Sequence, residues 1–239
     1  RLQMVSGQPV GWMAALFAVL VWGLAAGLSR FALQPEFMRQ VLPPFLGSLM
    51  PMLWFLLPRR FNPFALLRFR AFRIKTVLLP FLIGSLLGFG FFSASAARID
   101  WRPPLPGIFA SLDLGSPGRP YLFLALAFCI LFVFGFAQNL LTLRRSPARL
   151  PVSILLFLLV PLSFPDALWM LPFSTVSTLL FADSLSIYAP LFLLAGTFFG
   201  SELPVPYPAI AAGLAGPQGW ILALALLVGA GFLTALGLT

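Results

Sequence analysis

Long apolar runs separated by short basic or Pro/Gly-rich interruptions dominate this 239-residue chain, and they set the expected elements. The first run, residues 11–29, is long enough at 1.5 Å per residue to cross about 30 Å of hydrocarbon and ends at Arg30. A shorter run, 41–57, contains Pro51 and stops at Arg59 and Arg60. A third span is predicted over 76–97 and a fourth over 121–143, the latter closed by Arg144, Arg145 and Arg149. Residues 150–200 form one apolar stretch broken by five prolines, so three segments are expected, with turns at Ser163-Phe164-Pro165-Asp166 and at Ala182-Asp183-Ser184. A final span covers 219–238. The runs lack the alternation of barrel strands, so the expected fold is all-α: one polytopic helical membrane bundle over 1–239 with seven to eight segments, some broken by proline.

Composition agrees. Only 9% of residues are charged, 60% are hydrophobic, and mean hydropathy is +1.01. All fifteen Lys and Arg residues lie at or before Arg149. Ten fall in the N-terminal tail, the 59–75 segment and the 144–149 turn, against five in 30–40 and 98–120, which places the N-terminus in the cytoplasm, with a bacterial inner membrane as the expected setting. Within 59–75, Arg59, Arg60, Arg68, Arg70, Arg73 and Lys75 are interleaved with phenylalanine, the composition of a segment lying in the headgroup region against anionic lipid or a docked partner. The loops 98–120 and 201–218 are then non-cytoplasmic. The net charge of +9 is read as membrane anchoring, and no nucleic-acid partner is expected.

The chain has no histidine and one cysteine, Cys129. His-ligated haem, His-containing zinc sites, intrachain disulfides and a Ser-His-Asp triad are thereby excluded, and neither metal nor cofactor is expected. The candidate pathway residues are Asp166, Ser174, Ser177, Thr178, Asp183 and Ser184. The hydroxyls recur at three- and four-residue spacing and share part of one helix face. The two acids are seventeen residues apart, near opposite ends of that helix, where helix capping is the competing role. Gln138 and Asn139 offer a further polar pair. Gly23 and Gly27, and Gly84 and Gly88, are GxxxG pairs that let another helix approach closely.

Val21-Trp22-Gly23, together with Ala189-Pro190 leading to Gly200-Ser201-Glu202, resembles pieces of the drug/metabolite transporter superfamily, whose members use inverted helical repeats. The resemblance covers two short patches, and the chain is short for the family's usual ten helices. The leading expectation is passage of a small solute or ion, alone or with other membrane subunits or further copies of the chain. A non-catalytic assembly subunit is the alternative, and a lipid-processing enzyme the third. If the charge distribution sets orientation, a cysteine placed at Ser116 labels only from the non-cytoplasmic side, and labelling from the cytoplasm reverses the topology.

Overall fold

The computed structural model describes residues 45–54, 74–96, 119–137, 167–202 and 216–237, with isolated positions between 16 and 24 and between 209 and 214. Every described element is helical: α1 (Phe45–Trp54), α2 (Lys75–Ala96), α3 (Arg119–Ile130, continued by a π-helical turn over Leu131–Ala137), α4 (Ala167–Ser184), α5 (Tyr188–Glu202) and α6 (Pro217–Gly237). Two of them, α2 and α6, are long and apolar enough to cross a membrane. The remaining expected spans, the 59–73 part of the basic segment, and Gly23, Gly27, Gln138 and Asn139 lie outside the described residues.

The closest helix pair is α2 against α5. A Cβ added at Gly84 would collide with the carbonyl oxygen of Leu193, and one at Gly88 with that of Thr197. In return, a Cβ at Gly196 would strike the Phe81 carbonyl, and one at Gly200 the Ser85 carbonyl. Glycine is required at these four positions because each α-hydrogen faces a backbone oxygen of the other helix, the arrangement of Cα–H···O contacts. The contacts advance together along both helices, from Phe81 and Leu193 to Gly88 and Gly200, so α2 and α5 run parallel.

The other helices take their directions from this pair. A Cβ added at Gly237 would strike the Leu79 side chain, and one added at Gly90 would stand 3.5 Å from the Ala223 carbonyl oxygen, so α6 is antiparallel to α2. The Phe123 and Phe198 rings lie 5.2 Å apart, as do Phe134 and Phe181 at 5.3 Å, so α3 descends beside α5 toward the end where α4 finishes. Helices α4 and α5 form a tight hairpin. Its turn falls at 185–187 rather than at 182–184 as the sequence suggests. The helix persists because Ser184 donates to the Leu180 carbonyl at 2.7 Å, and it ends when Leu185 takes a left-handed φ of 51°. The next helix is started by Ser186, whose hydroxyl accepts from the Tyr188 amide at 3.4 Å. Before α6, Gly216 with φ 86° followed by Pro217 provides the equivalent start.

Burial separates an inner from an outer surface. Ile83, Leu87, Ile130, Phe132, Phe134, Phe181 and Ile187 are almost wholly enclosed. On α6, by contrast, Ile221, Leu224, Val228, Phe232 and Leu236 are all exposed, whereas Gly219, Ala223, Ala230 and Thr234 face inward. Small residues are inside and large apolar ones outside, the reverse of a helix in water.

Two substitutions of equal size should therefore have opposite outcomes. Gly88→Ala overpacks a backbone-to-backbone contact and is expected to cost about 1–3 kcal/mol, read as a lower melting temperature in mild detergent. Gly231→Ala meets open space and should be neutral, or stabilising by up to about 1 kcal/mol through helix propensity. A Gly88→Ala chain that melts like the parent removes the close contact.

Candidate functional site

The polar side chains of the described core are almost all hydroxyls: Ser48, Ser93, Ser174, Ser177, Thr178, Ser186, Thr197 and Thr234 are buried. Most are satisfied by their own helix. Thr178 donates to the Ser174 carbonyl at 2.7 Å, Ser174 to Leu171 at 3.0 Å, Thr197 to Leu193 at 2.9 Å and Thr234 to Ala230 at 2.7 Å. In an apolar interior this back-bonding removes the cost of an unpaired hydroxyl without calling on another helix. Across helices, Ser48 of α1 donates to the Cys129 sulfur of α3 at 3.2 Å, which gives the buried thiol a polar neighbour.

Ser177 is the exception. Its residue is fully buried and its Oγ has no hydrogen-bond partner among the described residues. It lies on the same face of α4 as Ser174, Thr178 and Phe181, and Phe181 contacts Phe134 in the π-helical turn of α3. From Leu171 to Ala182 no residue of α4 is exposed, so the hydroxyl face is enclosed by protein. A π-helical turn widens the backbone hydrogen-bonding pattern and recurs at functional sites. The sequence shows the hydroxyl spacing but neither the unpaired state of Ser177 nor the π turn, because both depend on tertiary packing.

The remaining candidates disperse. Asp183 is exposed in the last turn of α4, and Ser184 beside it donates to Leu180 and accepts from the Ser186 amide at 3.3 Å, so it organises the hairpin. Asp166 immediately precedes α4 and lies outside the described residues. Lys75 opens α2, while Arg59, Arg60, Arg68, Arg70 and Arg73 are outside the described residues. Gly84 and Gly88 belong to the α2–α5 seam. Among the described residues, no group of three or more His, Cys, Asp or Glu side chains is placed to hold a metal ion.

The unpaired hydroxyl makes a directional prediction. Ser177→Ala removes a buried polar atom with nothing to bond and should leave stability unchanged or raise it by about 1 kcal/mol, whereas Ser48→Ala breaks the contact to Cys129 and should lower it. Thermal melts of both variants decide. A Ser177→Ala chain destabilised as much as Ser48→Ala would show that Ser177 has a partner.

No family model, curated protein or solved structure matches the chain.

Proposed function

We propose that the chain is an integral membrane protein that passes a small polar solute or ion beside α4. The observation that carries this reading is Ser177: a fully buried hydroxyl with no partner among the described residues, on a helix enclosed from Leu171 to Ala182 and one turn before Phe181, whose ring meets Phe134 in the π-helical turn of α3. An unpaired polar atom in such a setting costs on the order of 1–3 kcal/mol and is retained where a water, ion or solute group completes it. Membrane residence is supported by the exposed apolar faces of α6 and of α2, where Ile74, Leu78 and Leu82 look outward. The proposed cytoplasmic end is the one holding Lys75, the end of α3 and the α4–α5 turn, because the basic residues at 59–75 and 144–149 adjoin it in sequence.

A second reading, an assembly subunit without its own transport activity, is favoured by α6. Gly229 and Gly231 have open space where a side chain would stand, which is room for a helix from another chain.

Purified protein in liposomes distinguishes the two. The transport reading expects faster proton entry (pH-sensitive dye) or glycerol entry (stopped-flow swelling) than in protein-free liposomes. It also expects that flux to fall at least tenfold with Ser177→Val and to change with Asp183→Asn, while both variants remain folded. Absence of flux above background for both probes, with a stoichiometric membrane protein co-purifying in mild detergent, favours the assembly role.

A further inference from the structure

We infer that the chain carries one three-helix unit twice, as α1–α2–α3 and as α4–α5–α6, the two related by a pseudo-twofold axis that runs along the α2–α5 seam.

The first observation is the seam itself. Its four glycine contacts fall into two pairs that exchange under a shift of 112 residues: Gly84 on Leu193 becomes Gly196 on Phe81, and Gly88 on Thr197 becomes Gly200 on Ser85. Two parallel helices that touch through the same residues on each side are related by a twofold axis parallel to their length. The sequences agree at that shift, with Gly84-Ser85-Leu86-Leu87-Gly88 matching Gly196-Thr197-Phe198-Phe199-Gly200. Ser85 and Thr197 also make the same bond, each donating to the carbonyl four residues back at 2.9 Å.

The second observation is the packing around the seam. The helix after α2, which is α3, packs on α5, and the helix after α5, which is α6, packs on α2. Both descend antiparallel to their partners. The helix before α2 touches α3 through Ser48–Cys129 and Phe45–Phe128, as the helix before α5 touches α6. These contacts of one half thus have counterparts in the other. Short sequence matches fall in the same order: Pro44-Phe45 with Pro172-Phe173 at α1 and α4, and Leu124-Ala125-Leu126-Ala127 with Leu222-Ala223-Leu224-Ala225 in α3 and α6. In the latter, Ala125 and Ala223 are both buried.

The shift between matches differs from helix to helix because the connections differ in length. Between α1 and α2 the first half carries the basic segment 59–75, whereas α4 and α5 are joined by a three-residue turn. The first unit therefore holds the charged connection and the second has lost or never had it. The parallel sense of the units also requires an odd number of crossings between α3 and α4, since α3 ends beside the α4–α5 turn and α4 begins at the opposite end. The sequence between them offers one apolar run, 150–163. With backbone meeting backbone along the axis, no solute path fits between α2 and α5, and any path lies to one side of it.

The test uses the full-length chain. Residues 81–88 and 193–200 are exchanged, so that each octapeptide stands in the other's place. In the repeat account the exchanged protein purifies as one species and melts within about 4 °C of the parent. Gly84→Ala and Gly196→Ala then lower the melting temperature equally, as do Gly88→Ala and Gly200→Ala. Loss of the exchanged protein from the membrane, or a clear inequality within a glycine pair, overturns the equivalence. A measurement that does not depend on stability completes the test: single cysteines at Arg119 and Pro217, the first residues of α3 and α6, should be labelled by an impermeant maleimide from the same side. Labelling from opposite sides rules out parallel units.

Discussion

The described bundle depends on one constraint: two parallel helices whose backbones touch. Gly84, Gly88, Gly196 and Gly200 leave no room for even a methyl group between α2 and α5. In water such a contact would gain little against burying large side chains. Between apolar helices in an apolar solvent, the advantage passes to dispersion and Cα–H···O contacts, which grow as backbones approach. From that pair the rest follows: α6 lies antiparallel along α2, α3 is held against α5 through Phe123 and Phe198, and α4 is tied to α5 by a short turn.

The same economy governs the polar groups. A hydroxyl that bonds to its own helix makes no demand on its neighbours, and Ser85, Ser93, Thr178, Thr197 and Thr234 all do so four residues back. Against that background a single buried hydroxyl without a partner, Ser177, stands out as the place where the interior is incomplete. It lies one turn before Phe181, whose ring meets that of Phe134 in α3.

Helix class was legible in the sequence because unbroken apolar runs admit no strand alternation, and the ends of α2 and α6 fall within two residues of the expected boundaries. The spacing of Gly84 and Gly88 was equally visible. Their mates, Gly196 and Gly200, show the same spacing, but that these two helices pair, more than a hundred residues apart, leaves no local trace. The hairpin turn was misplaced by a few residues for a similar reason: Asp183-Ser184 has turn chemistry, yet the Ser184 hydroxyl bonds back to Leu180 and prolongs the helix. The hydroxyl stripe on α4 could be read from spacing, but which of its members lacks a partner is decided by neighbours.

The parallel seam is most directly tested by nitroxide pairs in the purified protein. A pair at Leu78 and Leu191, near the starts of α2 and α5, should show strong dipolar broadening. A pair at Leu78 and Glu202, displaced by about 17 Å along α5 at 1.5 Å per residue, should show much less. The reverse order, with Leu78 closer to Glu202 than to Leu191, would make the helices antiparallel and contradict the account.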